Sequence, residues 1–252
     1  MSQFLFVSDL DNTYVGDDEA LGKLQQQLEQ QRQEHGSKIV YSTGRSPQLY
    51  KQLQEEKQLI TPDALVTSVG TEIYIDSSDS YDTEWAEILS KGWDREQVVA
   101  TAGHFSDLVP QPDSEQRPFK ASYFLSEEAA QELLPRLESA LKERDLEVKV
   151  IYSGSQDLDI LPNGGNKGKA MQFLAKRYGM PPERTVACGD SGNDIALFAV
   201  GDERGIIVGN AKPELREWYD RNKSESLYMA RSACAAGILE GLKHFGFIEG
   251  SA

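Results

Sequence analysis

The fold is decided by the stretch Phe4-Leu5-Phe6-Val7-Ser8-Asp9-Leu10-Asp11-Asn12-Thr13. Its apolar residues predict a short buried strand that ends where the polar residues begin. Asp9 and Asp11 stand two apart at the carboxyl end of this predicted strand, so both carboxylates can point into one crevice. Taken alone, such a pair also fits a capping turn or the metal-holding pair of a glycosyltransferase, and other parts of the chain have to distinguish these alternatives.

A pattern of strand, loop and helix starts at this stretch and recurs along the chain. The first helix carries Leu21, Leu24 and Leu28 on one stripe. Further strands are expected at 38–41, 64–68, 185–189 and 205–208, and further helices from Pro47 and near 168–178 and 193–200. This alternation predicts an α/β fold with a parallel sheet that is covered by helices on both faces.

The pattern changes in the middle of the chain. Strands are expected at 119–125, 146–152 and 157–161, where apolar and polar residues alternate, and helices at about 94–105 and 126–144. The change predicts an α+β module at residues 78–162, inserted into a core formed by residues 1–77 and 163–252.

The composition narrows the class of protein. The chain of 252 residues has 26 Lys and Arg against 41 Asp and Glu, a formal net charge of −15, so nucleic acid is not expected as a partner. The apolar run 4–7 is too short for a secretion signal or a membrane span, and we expect a cytoplasmic protein with no membrane partner. Cys188 and Cys234 are expected to be reduced packing residues.

Other polar positions also lie where a predicted strand gives way to a helix. At Thr43 and Gly44, a hydroxyl and free backbone N–H groups can hold a phosphoryl oxygen. Lys167 opens a helix, where the helix dipole disfavours a cation unless an anion is near. The loop 189–194 (GDSGND) offers two carboxylates and an amide. Each segment alone also fits an ordinary turn or a surface charge.

In this order, the segment 9–13 (DLDNT), Thr43, Lys167 and the loop 189–194 resemble the motifs of the haloacid dehalogenase superfamily of phosphohydrolases. The resemblance implies a Rossmann-like core with the inserted module as its cap, and phosphoester hydrolysis with Mg²⁺ through an aspartyl-phosphate. The implied roles are nucleophile for Asp9, general acid and base for Asp11, phosphate holders for Thr43 and Lys167, and Mg²⁺ ligands for Asp9, Asp11 and Asp190.

The charges of such a reaction agree with this resemblance. A phosphate dianion repels a carboxylate, so Mg²⁺ bridging Asp9, Asp190 and a phosphoryl oxygen, with Lys167 opposite, is needed before attack. Asp11 beside the leaving oxygen can donate a proton and later accept one from water.

Two further residues of the loop 189–194 are assigned supporting roles. Asn193 and Asp194 are expected to orient Lys167 or to complete the surroundings of the metal. Asn193 is also a candidate contact to the substrate.

Nearly the whole chain is similar to the sucrose-phosphatases of cyanobacteria and plants, which hydrolyse sucrose 6-phosphate. The similar stretches are 8–13, 42–46, 69–74 (VGTEIY), 118–123 (PFKASY), 157–162 (DLDILP) and 208–211 (VGNA). The resemblance implies a hydrolase of sucrose biosynthesis, with a sucrose-phosphate synthase as a candidate partner. Two alternatives stay open: a phosphatase for another sugar or glycosyl-glycerate phosphate, and a non-catalytic sugar-phosphate-binding module of a synthase.

A disaccharide phosphate needs many hydrogen-bonding partners across a cleft. On the core side the candidates are Thr43, Gly44, Arg45, Glu72, Lys167 and Asn193. On the cap side they are Lys120, Tyr123, Asp157 and Asp159.

Overall fold

The computed structural model describes residues 2–249. The strands are β1 (Leu5–Ser8), β2 (Lys38–Ser42), β3 (Ala64–Thr67), β4 (Glu72–Ile75), β5 (Val109–Pro110), β6 (Ala121–Phe124), β7 (Val148–Ser153), β8 (Asp157–Pro162), β9 (Thr185–Gly189), β10 (Arg204–Ile207) and β11 (Leu227–Met229). The helices are α1 (Asp18–His35), α2 (Pro47–Lys57), α3 (Thr83–Ser90), α4 (Arg95–Ala102), α5 (Glu127–Lys142), α6 (Lys167–Tyr178), α7 (Ile195–Phe198), α8 (Pro213–Arg221) and α9 (Cys234–His244).

Strand β1 lies at the centre of a seven-stranded sheet with the order β11-β10-β9-β1-β2-β3-β4. Neighbouring strands run parallel, except that β4 pairs with β3 in the antiparallel direction. Since parallel strands need crossover connections, the helices between them pack on the faces of the sheet. The predicted α/β core with a mostly parallel sheet is confirmed.

The alternating side chains of β1 divide the core into two apolar clusters. Phe4 and Phe6 pack with residues of α1 and α9 on one face. Leu5 and Val7 pack with residues of α6, α7 and α8 on the other face. Because both faces are covered, the strand has to be apolar throughout, which is why it is visible in the sequence.

The helix ends follow the local sequence. Asp17 caps α1 by accepting a hydrogen bond from the N–H of Ala20, and Gly36 ends it in the left-handed conformation at φ 73°. Ser46 accepts from the N–H of Leu49, with Pro47 as the first residue of α2. These caps fix where each loop leaves the sheet edge.

A smaller antiparallel sheet of four strands, in the order β5-β6-β8-β7, lies between β4 and α6 along the chain. Helices α4 and α5 cover one face of it through a separate apolar cluster that includes Val98, Leu133 and Leu137. The opposite face points towards the large sheet. This α+β insertion is the cap that the change of sequence pattern predicts.

Helix α3 lies inside the predicted insertion 78–162 but packs with the core. Its Trp85 and Leu89 belong to an apolar cluster of the large sheet, and the Trp85 indole N–H donates to the carbonyl of Gly70 over 3.2 Å. The boundaries 78 and 162 stay a prediction, while the packing of α3 favours a later start of the cap.

Each helix between residues 2 and 249 falls short of the length or apolarity that crossing a bilayer requires. Cys188 and Cys234 are free and buried. The predicted reduced state of the two cysteines is therefore confirmed.

A buried ion pair joins the cap to the core. The Arg117 guanidinium donates from Nε to Glu72 Oε1 over 2.8 Å and from Nη2 to Oε2 over 3.1 Å. The side chain of Glu72 is 1% exposed, and the Tyr74 hydroxyl also donates to it over 2.9 Å. Because Glu72 belongs to β4 and Arg117 to the cap, this pair fixes one edge of the cap on the core.

Replacing Arg117 by Met should lower the free energy of unfolding by about 3 kcal/mol, because the Glu72 carboxylate stays buried without its cation. Urea denaturation measures the change. Arg136→Ala is the matched control, since its pair with Glu132 is exposed and should contribute less than about 0.5 kcal/mol. The double variant with Glu72→Met should recover most of the loss. A single variant as stable as the wild type would contradict the assigned role of the pair.

Candidate active site

The site lies where β1, β2 and β9 end at the same edge of the large sheet. The loops after these strands carry Asp9, Thr43 and Asp190. A cleft of about 320 Å³ separates this edge from the cap, and residues of both units line it. Carboxyl ends of parallel strands are the usual place for a binding crevice, because the helix N-termini that follow them converge there.

A buried lysine bridges two buried carboxylates at the bottom of the cleft. Lys167 Nζ lies 2.6 Å from Asp9 Oδ1 and 2.7 Å from Asp194 Oδ1, and it donates to Asn193 Oδ1 over 3.2 Å. The lysine is fully buried at the first turn of α6. The anions that a cation at this helix end requires are therefore present.

Asp194 is saturated by protein contacts. Its second oxygen, Oδ2, accepts from the backbone N–H groups of Asp190 and Ser191 over 3.0 and 3.1 Å. It therefore holds Lys167 on one side and shapes the loop 189–194 on the other. This geometry suits the predicted orienting role better than direct binding of a ligand.

Three carboxylates meet closely enough to hold a cation. Oxygens of Asp9, Asp190 and Asp194 all lie within 4.8 Å of one another. Burial raises the pKa of Asp9 to about 8 against the opposing effect of the Lys167 ammonium, and the Asp194 carboxylate adds to the increase. Burial and Asp194 likewise raise the pKa of Asp190 to about 6.

This donor set fits a hard divalent cation. Within residues 2–249, Asp9 Oδ2 and Asp190 Oδ2 receive no hydrogen bond, whereas both oxygens of Asp194 are occupied. Carboxylate oxygens are the donors that Mg²⁺ prefers, and its charge would offset the burial of two anions. Asp9 and Asp190 are thus the residues that can offer free oxygens.

Asp11 differs from the expectation that its side chain joins the metal ligands. Its Oδ2 and Oδ1 accept from Arg45 Nε and Nη2, both over 2.8 Å, and it is absent from the cluster of three described carboxylates. Both oxygens are taken by the Arg45 guanidinium, which holds the side chain apart from the three carboxylates. The side chain of Asp11 faces the cleft beside Asp9, with Arg45 as its partner.

Thr43 and Gly44 form the other wall at the sheet edge. Thr43 is fully buried, and its hydroxyl accepts from the N–H of Arg45 over 3.1 Å. Gly44 and Arg45 line the cleft. The predicted phosphate cradle therefore has its backbone on the cleft surface, with the Thr43 side chain behind it.

The cap side of the cleft is polar and partly unsatisfied. Lys120 is 2% exposed, and its ammonium lies 3.5 Å from Asp159 Oδ1 and 3.8 Å from Glu115 Oε2. Glu115 Oε1 is buried without a hydrogen-bond partner among the described residues. Asp157 accepts from the Gln111 side chain over 2.9 Å. Such a set can exchange its internal contacts for those of a polyhydroxylated ligand.

Of the predicted substrate residues, Thr43 and Lys167 are fully buried behind the cleft lining, and two others lie away from it. Tyr123 is buried in the apolar cluster of the cap, because its side chain lies on the opposite face of β6 from those of Ser122 and Phe124. Glu72 is held by Arg117 and does not line the cleft.

Sequence reasoning missed several residues that do line the cleft. They include Asn12, Leu49, Val69, Gln111, Glu115, Phe124, Ser153, Gly154 and Lys212. The alternation along β6 was a usable signal for Phe124. The others lie in loops that the fold brings together, and no local pattern marks them.

Comparison with known proteins identifies related chains. The family model for sucrose-6F-phosphate phosphohydrolase matches residues 2–246. Sucrose-phosphatase 1 of Nicotiana tabacum is 43% identical over 252 residues, covering 97% of this chain and 59% of the tobacco protein. The chain thus spans about three fifths of the length of that relative. A mannosylfructose-phosphate phosphatase of Agrobacterium fabrum is 31% identical, and the match covers 96% of each of the two chains.

Solved structures agree with the fold. The sucrose-phosphatase of Synechocystis sp. PCC6803, crystallised with sucrose and phosphate, is 43% identical and superposes with a TM-score of 0.91, over 98% of this chain and 99% of that one. A haloacid dehalogenase-like hydrolase of Bacillus subtilis, 21% identical, superposes with a TM-score of 0.68 over 96% and 92% and supports the fold alone. The resemblance to the haloacid dehalogenase fold is confirmed.

The raised pKa of Asp9 has a consequence for stability in the absence of metal. Above its ordinary value of 3.8 the unfolded chain ionises this carboxyl, while the folded protein retains the proton up to about 8. Stability from this group is therefore lost as the pH rises between these values. In EDTA, Asp9→Asn should be more stable relative to wild type at pH 8 than at pH 4.5, by at least ~1 kcal/mol.

Urea denaturation at the two pH values measures this difference. Asp18→Asn removes an exposed carboxylate of α1 and serves as the control. Its stability relative to wild type should be the same at both pH values. If the stability of Asp9→Asn relative to wild type stays constant or falls as the pH rises, the assignment is refuted.

Proposed function

The chain belongs to the sucrose-6F-phosphate phosphohydrolase family, and from this premise we propose that it hydrolyses sucrose 6F-phosphate to sucrose and phosphate. The observation that carries the proposal is the contact of Lys167 with both Asp9 and Asp194 at the bottom of a cleft that the cap covers. This arrangement supplies a carboxylate nucleophile, a cation for the phosphoryl group and a water-poor site.

In the proposed first step, Asp9 attacks the phosphorus and the bond to the sugar oxygen breaks. Mg²⁺ and phosphorus would need different oxygens of Asp9, so one oxygen would bind the metal while the other attacks, and Lys167 contacts Oδ1. Lys167 also stabilises the charge on the phosphoryl oxygens, and the backbone N–H of Gly44 can bind another of them, whereas the Arg45 N–H is taken by the Thr43 hydroxyl. The products of this step are the free sugar and an aspartyl-phosphate.

Asp11 is proposed as the group that moves protons. It lines the cleft beside Asp9, where it can protonate the departing sugar oxygen and later deprotonate the water that hydrolyses the aspartyl-phosphate. Both of its oxygens are bonded to Arg45, so at least one contact must break before it acts. The incoming phosphate is an anion that can draw Arg45 away from Asp11.

Mg²⁺ is the proposed cofactor, with Asp9 and Asp190 as carboxylate ligands. When bound, it would neutralise the repulsion between the Asp9 carboxylate and the phosphate dianion. Thr13 donates to Asp190 Oδ1 over 3.4 Å, and the loop shaped by Asp194 orients Asp190 towards Asp9.

The cap is proposed to select the sugar. Lys120 lies 3.5 Å from Asp159 and 3.8 Å from Glu115, and Asp159 also accepts from the Ser122 hydroxyl over 2.6 Å. Sugar hydroxyls can bind the ammonium of Lys120, whose contacts to both acids are long. Asp157 with Gln111 adds a second polar group. Together with Asn193 and Arg45 on the core, these residues would hold the substrate from both sides.

A second candidate substrate is a mannosylfructose phosphate. The Agrobacterium fabrum relative, whose name gives that substrate, matches over 96% of both chains. We extend the proposal to a cytoplasmic location and to a sucrose-phosphate synthase as the supplier of the substrate, since the substrate is a soluble phosphorylated disaccharide. The non-catalytic alternative is disfavoured by the complete set of groups around Asp9.

Phosphate release from sucrose 6F-phosphate, mannosylfructose phosphate, fructose 6-phosphate and glucose 6-phosphate tests the proposal. Sucrose 6F-phosphate should have the highest kcat/KM, and EDTA should abolish turnover until Mg²⁺ is restored. Asp9→Asn should lower the rate about a thousandfold or more, while Asp18→Asn, which removes an exposed carboxylate, should not. Equal rates on all four substrates, or full activity in EDTA, would contradict the proposal.

Lys120→Met should lower kcat/KM for sucrose 6F-phosphate by about tenfold or more, because a charged hydrogen bond to the sugar is lost and Asp159 and Glu115 stay unbalanced. Hydrolysis of acetyl phosphate, which has no sugar, should change little. Lys149→Met on β7 is the control, since this lysine belongs to the small sheet but lies outside the cleft. Equal losses on both substrates would show a general defect rather than a role in sugar binding.

A further inference from the structure

Phe124 is an exposed aromatic residue on the cleft side of the cap. It is 41% exposed, whereas its neighbours Tyr123 and Leu125 are 5% and 1% exposed in the apolar cluster of the cap. The alternation of β6 turns Phe124 away from that cluster. Its ring therefore contributes little to the cap's own core and is available to something in the cleft.

The surroundings of Phe124 define what it can bind. Of the described residues that line the cleft, Phe124 alone is aromatic. It lies opposite Asp157 in the register of β6 and β8, and Asp157 accepts a hydrogen bond from Gln111. A flat apolar ring beside a carboxylate and an amide matches a sugar ring, which has C–H groups on its face and hydroxyls at its edge.

The spacing along the strands agrees with a two-ring ligand. Asp159, which lies opposite Ser122, belongs to the charged group around Lys120, two residues along the strands from the Phe124 pair. Two residues correspond to about 7 Å. The cap thus offers two neighbouring positions, one charged and one with an aromatic platform, at a separation that suits the adjacent rings of a disaccharide.

We propose that Phe124 is a specificity-determining residue whose ring stacks on one sugar ring of a phosphorylated disaccharide. The inference rests on the proposed function and adds to it a contact that depends on apolar surface rather than on hydrogen bonds. Stacking orients a ring without neutralising a charge, so it favours a disaccharide over a compact phosphoester.

Phe124→Ala, Phe124→Trp and wild type are to be compared on sucrose 6F-phosphate, mannosylfructose phosphate and acetyl phosphate. Alanine should lower kcat/KM on the faster disaccharide phosphate by about three- to tenfold, the usual contribution of an aromatic contact. Tryptophan should keep it within about twofold, because it restores the platform. All three proteins should hydrolyse acetyl phosphate equally.

Val99→Ala is the matched control, because Val99 is an exposed apolar residue of the cap on α4, outside the cleft. It should leave all the rates unchanged. The thermal midpoint of Phe124→Ala should equal that of wild type, since the side chain is exposed.

The outcomes separate this inference from the proposed function. A wild type that hydrolyses neither disaccharide phosphate overturns the proposed function and the inference with it. An active wild type with an unchanged Phe124→Ala variant, or a variant equally impaired on acetyl phosphate, overturns the inference alone. An unchanged rate together with an altered oligomeric state would assign the exposed ring to a protein contact, which also overturns it.

Discussion

The rest of the structure depends on one buried cation held between two buried carboxylates. Lys167 contacts Asp9 and Asp194 over 2.6 and 2.7 Å with no exposed surface of its own. Burial lowers the pKa of Lys167, but Asp194 and Asp9 outweigh this effect and keep the pKa raised. Removing the lysine charge would leave two carboxylates buried side by side without a cation, so the segments that carry Asp9, Lys167 and Asp194 have to keep their relative positions.

Close backbone contacts hold the segment that carries Lys167 in this position. A Cβ at Gly168 would lie 2.0 Å from the carbonyl oxygen of Ala196, and one at Gly70 would lie 2.2 Å from the backbone of Asn166. Glycine at both positions lets the start of α6 press against α7 on one side and the loop after β3 on the other. The position of Lys167 is thus set by packing on either side of it, and the active-site charges are held by a rigid frame rather than by a flexible loop.

The sequence permits prediction of those parts of the site that local patterns mark. Asp9, Thr43 and the loop 189–194 follow buried strands, and Lys167 opens a helix, so their meeting follows from the direction of a parallel sheet. Glu72 was not predictable in the same way, because its partner Arg117 is remote in sequence and the pair exists only after the cap docks. Strands β4, β5 and β11 and helices α3, α8 and α9 were not predicted. Of these, β4 and β11 form the two edges of the large sheet. On β6 the alternation was recognised, but Tyr123 was chosen as a cleft residue although it packs in the apolar cluster, and Phe124, which lines the cleft, was not considered.

The edge of the large sheet and the cap have different proposed roles: the sheet edge carries the groups for phosphoryl transfer, and the cap carries the groups that select the sugar. The groups around Asp9 are proposed to bind the phosphoryl group that every candidate substrate shares, and they lie on the core. The groups proposed to distinguish one sugar from another lie on β6, β8 and the loop before β6, and the pair of Glu72 and Arg117 joins that loop to the core. Since cap side chains such as Phe124 and Asp157 face the cleft rather than the cap's apolar cluster, exchanging them is expected to alter recognition at small cost in stability. A change of substrate within this fold is therefore expected to require changes in the cap, with Asp9 and Lys167 left in place.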